Sequence, residues 1–266
     1  RARVHVEIEW LIFLLDNSVL PGAPTLTDAE RDYLRALPRD FGAEHIKRLG
    51  EFEAVTRHDV KAVEYLIGEY LEAAAGKLGE DTTLPSLREV VHIFCTSEDI
   101  NNLAYALTIK AATEQVWLPA IRALLDRLRG FAEAGASVPM LAHTHGQPAT
   151  PVTIGKEMAV FAHRLSRQIK RVEATEYLGK INGATGTWAA HVVSVPGADW
   201  PTLARAFVEG LGLTWNPLTT QIESHDWQAE LYADVARAGR IAHNLATDAW
   251  TYISMDYFHQ NLAAQG

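Results

Sequence analysis

Apolar residues spaced three and four apart predict helices along almost the whole chain. The first such patterns cover residues 4–15, 41–54 and 59–75. Asp59 is placed to cap the last of these helices, and Thr27 and Glu30 have the spacing of a capping box ahead of a further short helix. A polar connector with Gly, Asp, Thr and Pro follows at residues 76–85. We therefore predict a small N-terminal helical domain over residues 1–86.

Three much longer helical patterns follow the connector, at residues 97–133, 153–184 and 225–260. Pro119 lacks an amide hydrogen, so it should kink the first pattern or split it into two consecutive helices. Wide apolar stripes on helices of this length are typical of a bundle. No strand pattern competes, apart from a brief one at residues 192–195. The sequence predicts an all-α fold, with residues 87–266 forming an incomplete long-helix bundle that further chain or other subunits complete.

Residues 140–151 form a small polar segment between two of the long helical patterns. Pro148 and Pro151 bar continuation of a helix, and Gly146 allows a close backbone approach. We therefore expect an irregular, rigid loop at a helix start that presents His145. An imidazole held in this way is a candidate acid or base, because its ordinary pKa lies near neutrality. The alternative is a surface turn that contains a histidine by chance.

Composition narrows the class of function. The chain has 266 residues, 48% of them hydrophobic, and a formal net charge of −9, which argues against a general binder of nucleic acid or of membrane surfaces. Cys95 is the single cysteine and cannot form an intrachain disulfide, and no signal peptide or membrane-spanning run is recognisable, so we expect the cytoplasm. The chain begins at Arg1 and ends in an Ala/Gly stretch at residues 263–266, inside apparently structured sequence. We expect it to be part of a longer chain.

Clusters of polar residues precede three of the predicted helices. Arg57, His58 and Asp59 lie at the first, where helix amides and cationic side chains suit a phosphate or carboxylate, although a plain cap by Asp59 is the alternative. Thr96 and Ser97 start the first long pattern and offer hydroxyls and amides to an anion. Residues 219–223 precede the last pattern, where a plain loop is the alternative. The recurrence of these clusters favours an enzyme over a scaffold.

Several segments resemble the adenylosuccinate lyases, in particular the bacterial branch of this family within the fumarase/aspartase superfamily. They lie at residues 96–102, 144–151, 155–159, 179–186 and 215–223. The match covers nearly the whole chain in order. The runs Thr-Ser-Glu-Asp-Ile-Asn-Asn and Asn-Pro-Leu-Thr-Thr-Gln-Ile-Glu are specific enough to separate this branch from its relatives.

The resemblance implies a β-elimination that uses no cofactor and no metal. Adenylosuccinate would give AMP and fumarate, and the succinyl-carboxamide ribotide of purine biosynthesis (SAICAR) would give AICAR and fumarate at the same site. The developing carbanion lies next to a carboxylate, so hydroxyl and amide donors are expected around that carboxylate. By resemblance, His145 matches the general acid that protonates the leaving amine. His58 matches a second active-site histidine.

The remaining site residues are also carried over by resemblance. Arg57 and Asp59 would bind substrate, and Gln221 would position it. The succinyl carboxylates would be held by Thr96, Ser97 and Thr144. The family has a homotetramer whose active sites are shared between subunits, which fits the incomplete bundle.

The family's base is a serine on a signature loop that should begin beyond Gly266. We therefore expect this chain to be inactive on its own. One position departs from the family, since His143 stands where the family often has arginine, and a cationic contribution there is in doubt.

Three other functions compete with this interpretation. Another lyase of the superfamily, acting on argininosuccinate or fumarate, would share the fold but not the Thr-Thr-Gln-Ile-Glu run. A metalloprotein could use His143, His145 and His58, because a His-x-His pair can bind zinc. A non-catalytic helical assembly protein would share the fold only.

Overall fold

A computed structural model describes residues 1–261, which are predominantly helical, and the predicted fold class is confirmed. The helices are α1 Ala2–Asp16, α2 Asp28–Arg39, α3 Ala43–Thr56, α4 Asp59–Glu72, α5 Ala75–Leu78, α6 Ser97–Ala112, α7 Leu118–Ala134, α8 Ile154–Glu173, α9 Ala189–Ser194, α10 Trp200–Gly210 and α11 Asp226–Ser254. The strands are β1 Pro139–Thr144, β2 Gln147–Thr153, β3 Leu178–Gly179 and β4 Thr214–Trp215. The Ala/Gly stretch at 263–266 lies outside the described residues.

By the density of its backbone contacts the chain divides into two compact units. Within the described residues, the first contains residues 1–110 and 176–225, and the second contains residues 111–175 and 226–261. The domain boundary near residue 86 stays a prediction.

The core of the first unit contains α1, α2 and α4. Their apolar faces meet in a buried cluster that includes Ile8, Leu34, Ile67 and Leu71. Burying side chains of this size stabilises a fold by about 1.5–3 kcal/mol each. The amphipathic patterns of the sequence therefore predict these helices, because their apolar positions form this core.

The two predicted caps in the first unit had different outcomes. The capping box is confirmed, because Thr27 Oγ1 accepts a hydrogen bond from the amide of Glu30 and the Glu30 carboxylate accepts one from the amide of Thr27. The prediction that Asp59 caps α4 is wrong. His58 holds that position, and its Nδ1 accepts a hydrogen bond from the amide of Lys61. Asp59 is already the first helical residue.

The long pattern at 153–184 is helical only to Glu173, so its predicted last turns are wrong. Residues 178–183 cross the interior of the first unit as extended chain and turn. There Asp99 and Asn102 of α6 bind their backbone, and β3 pairs in parallel with β4. Side chains remote in sequence replace the hydrogen bonds that a helix would have made.

In the second unit Pro119 has the predicted effect. A π-helical turn, Thr113–Trp117, separates α6 from α7, and the proline, which has no amide hydrogen to donate, follows it in the first turn of α7. The end of α7 and the start of α8 approach each other closely at Gly135 and Gly155, where the amide of Gly155 donates to the carbonyl of Gly135 at 2.9 Å. A Cβ on Gly155 would lie 2.3 Å from the carbonyl oxygen of Ala132.

The segment around His145 is a β-hairpin, so the predicted irregular loop and the absence of strands were wrong. β1 pairs antiparallel with β2, and Thr144 faces Gln147 across a two-residue turn of His145 and Gly146. Both turn residues have positive φ, 52° and 72°, as the tight turns that match strand twist require. The prolines of β2 are tolerated because a two-stranded ribbon consists only of edges. The strand pattern at 192–195 was wrong too, since residues 189–194 form α9.

Candidate active site

Two helix starts meet in the first unit through His58 and Ser97. The Nδ1 atom of His58 accepts a hydrogen bond from the Lys61 amide at 3.2 Å, which assigns the ring proton of the neutral imidazole to Nε2. That Nε2 lies 3.3 Å from Ser97 Oγ and donates to it. The His58 side chain is half exposed, so its ring is accessible to a ligand.

Gln221 joins the same cluster from the loop that precedes α11. Its Nε2 donates to Thr96 Oγ1 at 3.2 Å. The three polar clusters predicted at helix starts therefore lie together in the first unit, although Gln221 is 125 residues from Thr96 in sequence. Hydroxyl, amide and imidazole groups with exposed edges form a surface suited to a carboxylate or phosphate.

Asp59 and Arg57 flank His58 in different ways. Asp59 forms an ion pair with Arg3 of α1, with 2.8 Å between Oδ2 and the guanidinium. Arg3 also donates to Asn101 Oδ1 at 2.7 Å, so it joins the starts of α4 and α6. Arg57 is exposed and ends α3 in a left-handed conformation, with φ of 54°.

Asp99 supports the cluster by binding the backbone of Thr96. This residue was not identified from the sequence. One carboxylate oxygen accepts from Lys180 Nζ and the Asn182 amide, and the other accepts from the amides of Thr96 and Gly183. Asp99 and Lys180 are fully buried. The signal available in the sequence was an Asp-x-x-Asn pair on one face of a helix, since Asn102 binds the neighbouring backbone of Lys180.

Asn182 extends this support to the loop that carries Gln221. Its Nδ2 donates to Thr219 Oγ1 at 2.7 Å. Gly186 packs against the same loop so closely that a Cβ at this position would lie 2.3 Å from the carbonyl oxygen of Thr219. The backbone of residues 219–221 is therefore held from two sides.

The loop before Thr96 is held by a buried carboxylate. His92 and Phe94 both have positive φ, 63° and 67°, in a turn that leads into α6. His92 Nδ1 lies 2.7 Å from the buried Oε1 of Glu7, and Trp10 donates to the carbonyl of Ile93. Burial alone would lower the pKa of His92, but the Glu7 carboxylate raises it above its ordinary value. The first turn of α6 is thus anchored on α1.

Thr144 and His145 belong to the second unit, at the tip of the hairpin. The His145 side chain is exposed, and its backbone is fixed by the turn. Tyr257, beyond α11, donates from its hydroxyl to the carbonyl of Leu141 at 3.1 Å. The Tyr257 ring also lies 6.4 Å from the ring of His143. These contacts tie β1 to the chain that follows α11.

Two further properties concern residues 1–261. Among them, no group of three or more His, Cys, Asp or Glu side chains is arranged to hold a metal ion. Over the same part of the chain, no helix combines the length and the hydropathy needed to cross a membrane.

A family model described as lyase matches residues 6–266. The chain belongs to this lyase family. Curated relatives named adenylosuccinate lyase confirm the resemblance found in the sequence segments. The Escherichia coli protein is 43% identical over 262 residues, and the Vibrio cholerae and Haemophilus influenzae proteins are 42% and 40% identical. Each match covers 98% of this chain and 56% of the relative, so the chain spans about half the length of these lyases.

Two solved structures share the fold. A fumarate lyase from Mesorhizobium superposes with a TM-score of 0.75 at 20% identity, covering 95% of this chain and 54% of that protein. A β-carboxy-cis,cis-muconate cycloisomerase from Acinetobacter calcoaceticus gives a TM-score of 0.74 at 16% identity, with the same coverage of 95% and 54%. At these identities the similarity concerns the fold alone.

Proposed function

We propose that the protein is an adenylosuccinate lyase, which eliminates fumarate from adenylosuccinate to give AMP and from SAICAR to give AICAR. The observation that carries this proposal is the hydrogen-bonded cluster of His58, Ser97, Thr96 and Gln221. It lies in a lyase-family chain that is 43% identical to a bacterial adenylosuccinate lyase.

The cluster would bind the succinyl carboxylates of the substrate. Removal of a proton from the carbon beside a carboxylate places negative charge on that group, and preorganised donors stabilise it. Ser97, Thr96 and Gln221 provide hydroxyl and amide donors there, and Thr144 would add a hydroxyl. Arg57, Asp59 and His58 would bind and orient the substrate's polar groups.

His145 would act as general acid. When the carbon–nitrogen bond breaks, its electron pair goes to the leaving nitrogen, which takes a proton from the imidazole, while the carbon–carbon double bond of fumarate forms. Imidazole is the side-chain group most often used for such a transfer near neutral pH. The proton from carbon would be taken by a serine on a loop beyond Gly266. Neither step needs a metal or cofactor.

The active enzyme would be a homotetramer with shared sites, which would place groups from several subunits around one substrate. Exposed apolar side chains on the long helices of the second unit support self-association. They are Val160, Tyr232 and Trp250, the last with 72% of its surface exposed. Sedimentation of the active protein tests this assembly, and a fully active monomer would exclude it. The cytoplasmic location stays a prediction.

A substrate panel tests the proposed activity. The protein, expressed from its complete gene, is offered adenylosuccinate, SAICAR, argininosuccinate and fumarate, and release or consumption of fumarate is followed by ultraviolet absorbance. We expect turnover of the first two only. Gln221→Ala should raise KM for adenylosuccinate, whereas Gln115→Ala, at an exposed glutamine of the second unit, should not. Turnover of argininosuccinate or fumarate alone would replace the proposal with another lyase activity.

A further inference from the structure

The loop that carries Gln221 contacts the start of α6 at a second point, four residues further along. Gln221 reaches Thr96, and His225 reaches Glu98, with 3.3 Å between His225 Nε2 and Glu98 Oε1. Ser97, the first residue of α6, lies between Thr96 and Glu98 in sequence. The loop is therefore fixed on both sides of a residue of the proposed substrate-binding cluster.

His225 lies between two carboxylates. Its Nδ1 is 3.4 Å from Glu223 Oε2, and its backbone amide donates to the same oxygen at 2.7 Å. Glu223 is fully buried, and its other oxygen accepts a hydrogen bond from Asn216 Nδ2 at 3.0 Å. A buried carboxylate requires partners of this kind, because burying an unpaired charge is very costly. The imidazole bridges the buried Glu223 and the partly exposed Glu98.

The backbone of His225 is held in an uncommon conformation. Its φ of 60° lies in the left-handed region, which residues other than glycine adopt at a cost. Such strain persists only where surrounding contacts over-determine it, and it clusters at ligand-binding sites. Here the contacts with Glu98 and Glu223 hold the turn between the Gln221 loop and the first residue of α11.

We propose that His225 is a positioning residue that sets Gln221 against Thr96 and so preorganises the substrate-binding cluster. The proposal rests on the proposed function, because it takes Gln221 as a substrate-binding group. His225 acts through the loop, so its loss moves the Gln221 amide and leaves the proton-transfer groups in place. Its effect should therefore fall on substrate binding.

A double-mutant cycle tests this role in the protein expressed from its complete gene. Asn is the substitution of choice at 225, because it tolerates positive φ but is too short to reach Glu98. His225→Asn should raise KM for adenylosuccinate roughly tenfold and leave kcat within about twofold. Adding it to Gln221→Ala should raise KM no further, since the group being positioned is already gone. His243→Asn, at an exposed histidine of α11, is the matched control and should change neither constant.

Other outcomes would overturn the proposal. A fall in kcat at unchanged KM, or a KM effect that adds fully to that of Gln221→Ala, would mean that His225 does not act through Gln221. If Gln221→Ala itself leaves KM unchanged, the substrate-binding assignment fails instead. Glu98→Ala, which removes the acceptor, repeats the test from the other partner, should His225→Asn fail to fold, and an unchanged KM in that variant also contradicts the proposal.

Discussion

Asp99 and Lys180 form a fully buried ion pair, with 2.7 Å between Oδ1 and Nζ. The same aspartate accepts hydrogen bonds from the amides of Thr96, Asn182 and Gly183. One carboxylate thus fixes the start of α6 and a strand-like segment more than 80 residues later in sequence. The candidate site is built on this pair.

Removing the cation should therefore damage the fold. Lys180→Met leaves the Asp99 carboxylate buried without its charge partner, and breaking a buried pair in this way costs about 3–5 kcal/mol. Urea unfolding at a fixed protein concentration measures the loss. Lys156→Met is the matched control, because its ion pair with Glu157 is exposed and contributes little. Equal stabilities of the two variants would contradict the structural role of the pair.

Two helical glycines, one at the close approach of α7 and α8 and one in open space on α11, should respond in opposite ways to substitution by alanine. Gly155→Ala would place a methyl group within 2.6 Å of three backbone atoms in the last turn of α7 and the residues that follow it, so it should lower the free energy of unfolding by roughly 1–3 kcal/mol. Gly239→Ala in α11 meets nothing within 4 Å and should raise stability by about 0.5–1 kcal/mol. Thermal unfolding of both variants compares them. A stabilising Gly155→Ala would show that the end of α7 does not approach the start of α8 this closely.

The hydrogen bonds of the Glu30 carboxylate should make the free energy of unfolding fall in acid. Its carboxylate accepts hydrogen bonds from Thr27, Thr82 and Thr83. Burial opposes ionisation of Glu30, but these bonds outweigh it and lower its pKa from 4.5 to about 2. The unfolded chain binds the proton more readily, so this contribution is complete above pH 4.5 and is lost as the pH falls towards 2.

Glu30→Gln should therefore remove part of the fall in the free energy of unfolding at low pH. The difference in free energy of unfolding between wild type and Glu30→Gln should shrink as the pH falls from 5 to about 2. Asp28→Asn, at a fully exposed carboxylate of the same helix turn, should give a much smaller change. A difference that stays constant over this range would mean that Glu30 is not held as the carboxylate.

Replacing Gly186 should weaken substrate binding at the candidate site. Ala at this position has both an unfavourable φ of 73° and a Cβ 2.3 Å from the carbonyl oxygen of Thr219, so residues 219–221 must move. A displacement of about 1 Å can cost up to about a hundredfold in activity. Gly186→Ala should raise KM for adenylosuccinate, whereas Gly197→Ala, with open space around it, should not. Unchanged kinetics in Gly186→Ala would mean that this loop does not bind substrate.

The helices were predictable because their cause is local. Apolar spacing and the Thr27–Glu30 box are read within a few residues, and both are confirmed. The segment after Glu173 was not predictable, because its hydrogen-bond partners are on α6, about 80 residues earlier. The hairpin was missed for a related reason, since its prolines argue against a strand until the ribbon is known to have two edges.

The candidate site was predictable in its residue types but not in its pairings. Hydroxyl and amide groups at helix starts indicated anion binding, and the resemblance added roles for them. The contacts of His58 with Ser97 and of Gln221 with Thr96 join residues 39 and 125 positions apart, which no local pattern encodes. Asp99 and His225 were missed because their importance lies in these remote contacts.

Replacing His145 tests the proposed elimination most directly. Turnover of adenylosuccinate is measured by ultraviolet absorbance for wild type, His145→Ala and His163→Ala, each expressed from the complete gene. Removal of a general acid costs about a hundredfold to ten-thousandfold in kcat, and we expect a loss of that size for His145→Ala. His163→Ala, at an exposed histidine of α8, should behave as wild type. No turnover by the wild type, or near-normal turnover by His145→Ala, would contradict the proposed mechanism.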